Sequence, residues 1–350
     1  MARALVASRP VFGFLVFLIA ASSAAAGETP DPAAGPRADR PRGPAEIRDG
    51  QLLAQSRLTL PALTPQPIAS GRWELRASIL WSNSFAWSQD VAGETPEDRR
   101  FLIDGEAASL DLTLRRGLAR NLDGAVRVAV HGRGGGVLDG FIDAWHRLVN
   151  VPDGKRPAFR RDAFRVEGRT TAGRPFSWSA DDGWGLGALE LEARWRVAEG
   201  GTSGPSAAVV ARVLVPSGTG PYSGGGLGAG AQVVVDAPLG RRVDLFTGLG
   251  VTAQDPAPVR GVEYETARLH GYLALEWRAA RTLSFVVETN AASRLVRNID
   301  GYPGTHWLVN IGGRLDLGAR TRLDAFVTEN ILSQLSTTDF ALHVAVSVRP

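Results

Sequence analysis

The sequence predicts an all-β protein: a transmembrane antiparallel β-barrel of about twelve strands, with one short amphipathic helix in a large extracellular loop. Three observations predict this fold. Extended runs with alternating apolar and polar residues recur from Gly71 to the end of the chain, and a period of two places alternate side chains on opposite faces of a strand. The connectors between these runs alternate between short and long. Beyond the N-terminus, no stretch holds the ~18 uninterrupted apolar residues that a spanning helix needs.

The first 26 residues are typical of a secretory signal peptide. Arg3 and Arg9 supply its positive end, Val11–Ala20 is its apolar core, and cleavage is expected near Ala26. The chain contains no cysteine, so disulfides, which small secreted scaffolds usually need, do not stabilise the exported form. Removal of the two arginines lowers the formal charge from +3 to about +1, so the basic isoelectric point is not evidence for nucleic-acid binding.

The segment that follows, residues 27–70, is predicted to be an N-terminal linker and periplasmic lead-in. Gly27–Gly50 is rich in Pro, Ala, Gly and Arg and has no apolar periodicity, which predicts a mobile linker. Gln51–Ser70 carries Pro61, Pro65 and Pro67, which indicates an ordered but irregular lead-in. The barrel domain is expected to occupy residues 71–350.

The run from Leu269 to Arg278 shows the strand pattern clearly. Leu273, Leu275 and Trp277 share one face, while Glu276 and Arg278 lie on the other and need water or charge partners. The predicted strands are Arg72–Ser82, Phe101–Leu114, Asp123–His131, Gly183–Arg196, Ser206–Pro216, Leu227–Asp236, Arg242–Ala253, Val262–Arg278, Thr282–Arg294, Thr305–Leu317, Thr321–Glu329 and Asp339–Arg349. Their lengths suit the ~9–11 residues that cross a bilayer at a tilt.

Connector lengths and tryptophan positions support a membrane barrel. With a periplasmic N-terminus and an even number of strands, every short connector falls on the periplasmic side, as in outer-membrane barrels. Trp73, Trp195, Trp277 and Trp307 lie at or near strand ends, where aromatic belts meet the lipid head groups. The alternative is a soluble periplasmic β-sandwich or β-helix. Sandwich strands average ~5–6 residues, shorter than many runs here.

The large loop contains a predicted amphipathic helix within His131–Asn150. Apolar residues share one side of its helical wheel, and polar residues occupy the other. The helix could plug the barrel mouth, lie in the outer-leaflet interface or pack on neighbouring loops. The candidate residues of this loop or plug helix, with its glycine lead-in, are Gly134, Gly135, Gly136, Leu138, Asp139, Phe141, Ile142, Asp143, Trp145 and His146. An arginine-rich tract follows, which either pairs with lipopolysaccharide phosphates or is simply solvated.

The polar faces of the strands provide candidate lumen-lining residues. These are Arg72, Glu74, Arg76, Asp111, Arg127, Arg212, Asp244, Glu276, Arg278, Glu288, Arg314, Asp316 and Asp324. Charges of both signs are mixed, so they either pair across strands and fill the lumen or line a polar permeation path. Asp139, Asp143 and His146 have helical spacing that suits a metal ion, but exposed polar residues show this spacing routinely. No catalytic, cofactor-binding or metal residue is assigned.

Three stretches resemble a known family. They are Trp81-Ser82-Asn83-Ser84-Phe85, then Asp104-Gly105-Glu106, and then the block from His131 through the Gly134–Gly136 run to His146. They resemble the domain of unknown function 3187 family, DUF3187, which comprises uncharacterised proteobacterial outer-membrane β-barrel proteins. The resemblance extends from about Gln51 to the end of the chain. It implies a fold and a location, but no activity.

The functional expectation is a porin-like narrow channel or facilitator for small solutes, located in the outer membrane of a Gram-negative bacterium, with no enzymatic activity and no cofactor. The alternative is a non-conducting barrel that acts through its external loops in envelope integrity or surface contact. A membrane lipid hydrolase ranks third, because no local pattern combines Ser, His and a polar orienting residue. The expected partners are outer-membrane lipid including lipopolysaccharide, the barrel-insertion machinery and a small-molecule solute, with no nucleic acid.

Overall fold

The computed structural model describes residues 43–88, 95–96, 98–150, 155–178, 183–200, 204–302, 304–330 and 338–350. The predicted signal peptide, its cleavage site and most of the predicted linker lie outside these ranges.

Within the described ranges the chain forms fifteen strands and one α-helix. The strands are β1 Trp73–Trp87, β2 Phe101–Ala119, β3 Leu122–Gly134, β4 Arg165–Arg169, β5 Pro175–Trp178, β6 Trp184–Leu186, β7 Leu189–Ala198, β8 Ser206–Val215, β9 Gly228–Pro238, β10 Val243–Gln254, β11 Ala267–Arg278, β12 Leu283–Ser293, β13 Thr305–Asp316, β14 Thr321–Glu329 and β15 Phe340–Val348. The helix, α1, spans Asp139–Val149, and short 3-10 turns occupy Arg156–Ala158 and Gly220–Tyr222.

Twelve of these described strands close into an antiparallel barrel. The hydrogen-bonded order is β2, β1, β15, β14, β13, β12, β11, β10, β9, β8, β7, β3, and a β2–β3 pairing closes the ring. Closure leaves no unpaired edge in the wall. The β4–β5 hairpin extends the sheet from β2, and β6 pairs with β3. These additions lie at the end of the barrel that carries the long connectors, the long-loop end; we call the opposite end the short-turn end.

The wall is apolar outside and polar inside, which is the reverse of a soluble domain. On β2, Leu110, Leu112 and Leu114 are exposed, whereas Asp111 and Arg115, on the opposite face, are buried. Exposed leucine and valine side chains recur on the outward face of neighbouring strands. Such a belt is stable only against lipid. The predicted fold class, a transmembrane barrel of about twelve strands, is therefore confirmed.

Some strand boundaries differ from the prediction, for a common reason. The strand β1 continues to Trp87 rather than ending at Ser82, and residues 82–87 are all buried. Loop residues cover the outward face there, so both faces are protected and the sequence loses its alternation. The predicted strand Gly183–Arg196 divides into β6 and β7.

The predicted strand Val262–Arg278 begins only at Ala267. Before it, isolated bridges join Val259 to Val262 and Tyr264 to Val296. The predicted helix is confirmed as α1, which ends at Asn150 in the left-handed conformation. No helix in the described part of the chain has the length and apolarity needed to cross a membrane.

Candidate functional site

Residues 43–68, which we call the lumen segment, run through the interior of the barrel without regular secondary structure. Near the short-turn end, the Gly43 amide donates to Glu276 (3.1 Å). At the long-loop end, Gln51 Nε2 donates to the Tyr302 hydroxyl (2.8 Å). The chain then turns back, and the Ile68 amide donates to Asp123 (2.9 Å) near the start of β3. The segment therefore enters and leaves at the same end.

Charged wall residues hold the ascending limb by its main chain. Arg314 donates to the carbonyl oxygens of both Gly43 and Pro44. The Ala45 amide donates to Glu288 (2.6 Å), whose side chain is fully buried and also accepts from Asn310 (2.8 Å). These bonds satisfy the polar main chain of a segment that has neither helix nor sheet partners.

The descending limb is held in a comparable way. Main-chain carbonyl oxygens at alternate positions accept hydrogen bonds from wall side chains: Thr59 from Arg212 (3.3 Å), Pro61 from Gln232 (3.2 Å) and Leu63 from Tyr272 (2.6 Å). An extended chain presents every second carbonyl to the same side. Side chains from β8, β9 and β11 thus bond one face of this limb.

Apolar contacts seal the long-loop end. At the tip of the lumen segment, Leu52, Leu53 and Ala54 are buried in a cluster that includes Trp178 and Tyr264. This cluster combines the tip, the β4–β5 hairpin and two connecting loops. Lower in the barrel, a second cluster packs Ile47 and Leu63 of the segment against inward side chains of the wall.

This position differs from the expected linker and periplasmic lead-in for residues 43–68. The segment has no apolar period, because it does not lie on one apolar face: polar wall side chains bond its main chain, and separate apolar clusters cover parts of it. A recognisable signal was present in its composition: Ile47, Leu52, Leu53, Leu58 and Leu63 are too apolar for a solvated linker.

The predicted lumen-lining residues project inward, and most are buried. Arg76, Asp111, Arg212, Asp244, Glu276, Glu288, Arg314 and Asp324 are buried; Arg127, Glu74, Arg278 and Asp316 are partly buried; and Arg72 is exposed. Arg76 pairs with Asp324 (2.6 Å), and Arg127 pairs with Asp111. The cross-strand pairing expected from mixed charges is therefore present in the interior.

The inward charges missed by the sequence analysis include Arg115, Asp123, Glu190, Glu192 and Arg194. They join the network, because Arg115 pairs with Glu192 (2.7 Å) and Asp123 (3.2 Å), and Arg194 pairs with Asp123. Glu190 accepts from Arg48 of the lumen segment (2.6 Å). The alternation of Glu190, Glu192 and Arg194 with Leu189, Leu191 and Ala193 would have revealed three of them.

A cavity of about 1000 Å³ opens at the short-turn end. Arg72, Glu74, Asp316 and Arg349 are among the charged residues that line it, and both ends of the lumen segment border it. The cavity stops at the buried part of the segment. We call this space the vestibule.

The helix α1 lies outside the lumen, against the outward face of the wall. Ile142 of the helix and its N-cap residue Leu138 pack on Phe340, with the outward-facing Trp81 and Leu342 at the edge of the same cluster. The plug position, one of the three expected for this helix, is therefore not the one it occupies in the structure. The segment that fills the lumen is another part of the chain.

Polar residues fix α1 to the wall. Glu106 of β2 accepts from the main-chain amides of Val137 (2.7 Å) and Leu138 at the helix N-terminus, where a carboxylate is favoured. Gly136 adopts φ +73°, and a Cβ there would lie 1.7 Å from the Glu106 carboxyl carbon. Only glycine permits this approach.

The helical carboxylates and histidine that suggested a metal site are engaged by protein partners. Arg156 bonds Asp139 (2.6 Å) and Asp339 (2.5 Å), and Asp143 pairs with Arg161. Among the described residues, no group of three or more histidine, cysteine or acidic side chains is arranged to hold a metal ion.

His146 lies 3.8 Å from Glu329. Burial disfavours the imidazolium, but the Glu329 and Asp339 carboxylates outweigh burial and raise the pKa of His146 above its usual 6.5. In its protonated form, His146 therefore helps to hold α1 against Glu329 of β14.

A serine and a histidine meet inside the barrel. Ser109 Oγ and His131 Nδ1 are 2.7 Å apart on the inward faces of β2 and β3. The Gln55 side chain of the lumen segment bonds the Gly132 carbonyl (3.2 Å) beside them. This pair faces the segment and not the lipid.

The fold is similar to that of a known outer-membrane channel. The crystal structure of the COG4313 outer membrane channel from Pseudomonas putida F1 matches with a TM-score of 0.55 and 9% identity, over 81% of this chain and 97% of that one. The NanC porin matches with a TM-score of 0.42 and 6% identity, over 79% and 98%. The Pseudomonas putida toluene transporter TodX matches with a TM-score of 0.39 and 9% identity, over 80% and 89%.

A family model described as "Protein of unknown function (DUF3187)" matches residues 37–349. No curated protein sequence matches the chain.

Proposed function

The chain belongs to the DUF3187 family, and from this premise we propose that it is an outer-membrane channel for small polar solutes that is closed by its own lumen segment. The observation that carries the proposal is the nature of the obstruction. The lumen is filled by a chain segment without regular structure, in addition to the inward side chains of the wall. Hydrogen bonds from wall side chains hold this segment in place. Such an element can leave without breaking the barrel ladder.

The vestibule supports a solute of modest size. Its volume of about 1000 Å³ lies at the upper end of small-molecule sites. Its lining carries charges of both signs, which favours polar solutes and gives little selection by net charge. In the outer membrane of a Gram-negative bacterium this space would face the periplasm, because outer-membrane barrels place their short turns there.

The second candidate function is a non-conducting barrel that acts through its external loops. The apolar seal at the long-loop end favours it, because Leu52 and Leu53 are almost completely buried there. A permanent seal would make the lumen segment a structural core. A membrane lipid hydrolase has less support, because Ser109 and His131 face the lumen segment.

Conductance of the full-length chain separates the first two functions. In planar bilayers, we expect the unmodified protein to be mostly closed with infrequent discrete steps. Leu53→Asp places a carboxylate in the apolar seal, which costs several kcal/mol, so the tip should leave and the steps should become frequent. Leu239→Asp is the matched control at an exposed short turn and should behave as the unmodified protein does. A folded Leu53→Asp barrel that stays silent would favour the non-conducting function.

A further inference from the structure

The exposed side of α1 carries large apolar side chains. Phe141 and Leu148 are exposed, with 78% of Leu148 accessible, whereas Asp139, Asp143 and His146 are buried against the wall. The side of the helix toward the wall thus holds three ionisable groups beside Ile142, while the outward side carries the apolar Phe141 and Leu148. An apolar arc on an amphipathic helix needs an apolar partner.

The lipid-facing wall continues directly into this arc. Trp81 and Leu342 contact the cluster beneath α1, and two residues further along the same faces, Ile79 and Val344 are exposed. The helix is therefore seated at the outer edge of the apolar belt. Lipid that covers Ile79 would extend onto the helix without a break.

Exposed cations border the helix. Arg147 of the helix is exposed. Arg161 pairs with Asp143 of the helix, and the residue before it, Arg160, is also exposed. Basic groups beside an interfacial apolar helix bind anionic head groups, and guanidinium groups bind phosphate bidentately. The adjacent charges thus complement a phosphorylated lipid better than a neutral one.

We infer that α1 is a lipid-binding element at the outer rim, with Phe141 and Leu148 in the acyl-chain region and Arg147 and Arg160 on the phosphate groups of outer-leaflet lipid, the chemistry of lipopolysaccharide. This surface is separate from the lumen and does not depend on conductance. Its occupant is lipid, because the apolar belt and the arc form one continuous surface.

Site-specific labelling tests the apolar part, since the chain contains no native cysteine. A fluorophore is attached at Leu148→Cys in the full-length protein in vesicles that contain lipopolysaccharide. Ile79→Cys on the wall and Arg174→Cys on an exposed loop are the references. The Leu148 label should be quenched by lipid-borne quencher to about the extent of the Ile79 label. Quenching by aqueous iodide instead, or protection from both quenchers by a second protein copy, would overturn the inference.

The double variant Arg147→Gln/Arg160→Gln tests the phosphate part. It should bind vesicles that carry lipid A on the order of tenfold more weakly, with no change for vesicles of neutral phospholipid. The control Arg241→Gln/Arg320→Gln removes the same charge from exposed positions at the short-turn end. Equal lipid A binding by the two double variants would reject the assigned phosphate contacts.

Discussion

The lumen segment and α1 both pack on the barrel wall, but on opposite faces of it. The lumen segment has no helix or strand pattern and lies inside, where Arg314, Glu288 and Tyr272 bond its main chain. The helix has a clear amphipathic pattern and lies outside, where Ile142 packs on the wall beside the buried Asp139, Asp143 and His146. A regular amphipathic pattern thus identified a helix correctly but did not identify which face of the barrel it covers.

The two faces also differ in how easily their attached element can move. The helix satisfies most of its own main-chain bonds, so side-chain contacts and the bonds from the Val137 and Leu138 amides to Glu106 dock it. The lumen segment depends on the wall for main-chain partners, so departure costs those bonds unless water replaces them. Both ends of the lumen segment border the vestibule, which is open at the short-turn end of the barrel. We therefore expect changes at the two elements to have separable effects.

Arg156→Ala should have the largest effect, and it should act on the outer element alone. Its side chain bonds Asp139, Asp339 and Asn83 in a buried site, so its removal leaves buried carboxylates unpaired, at a cost of about 3–5 kcal/mol. We expect α1 to become sensitive to limited proteolysis while bilayer conductance stays at the unmodified level. Arg174→Ala, at an exposed loop position away from α1, is the control. A conductance increase in Arg156→Ala would show that the elements are coupled.

The docking of α1 should depend on pH through His146. Its pKa is raised in the folded state by Glu329 and Asp339, so its stabilising effect is complete below pH 6.5 and is lost as pH rises through the folded pKa. Proteolysis within α1 should therefore accelerate as the pH is raised above 6.5. His146→Gln should remove most of this dependence. An unchanged pH profile in that variant would assign the dependence to other groups.

Tyr302→Phe should have the smallest effect, and it should act on the inner element alone. The variant removes the hydroxyl that accepts a hydrogen bond from the Gln51 side chain at the tip. The closed state should lose about 1 kcal/mol of stability, so the ratio of open to closed channel should rise roughly fivefold. Tyr222→Phe removes a comparable bond, from the hydroxyl to the Gly183 carbonyl (2.9 Å), away from the segment. Equal opening by both variants would contradict a specific role for the tip.

The barrel itself was predictable because lipid imposes alternation on every strand that it touches. The burial pattern of β15 shows this: Val344 and Val346 are exposed, while Ala345 and Ser347 are buried. Larger apolar residues thus alternate in the sequence with small ones. Prediction failed where that constraint ends. At Ser84 and Phe85 both faces are buried, and the pattern disappears.

The residues that fill the lumen were only partly predictable, because the path of the lumen segment depends on hydrogen-bond partners that are far away in the sequence. Ala45 bonds a residue 243 positions later, Glu288, and nothing near Ala45 records that contact. The charged wall was predictable for residues that alternate with leucine or valine, such as Asp111. Their bonds to the lumen segment were not predictable, because these contacts form only when the closed barrel surrounds the segment.

A reversible crosslink between the segment and the wall tests closure of the lumen most directly. A Cβ built on Gly50 lies 2.8 Å from the Ser82 Cβ, against about 3.8 Å in ordinary disulfides, so Gly50→Cys/Ser82→Cys should form one after a small shift. Conductance is recorded from one preparation before and after reduction, with each single variant as a control. We predict that the oxidised protein is silent and that reduction restores discrete steps. Equal conductance in both states would contradict closure by the lumen segment.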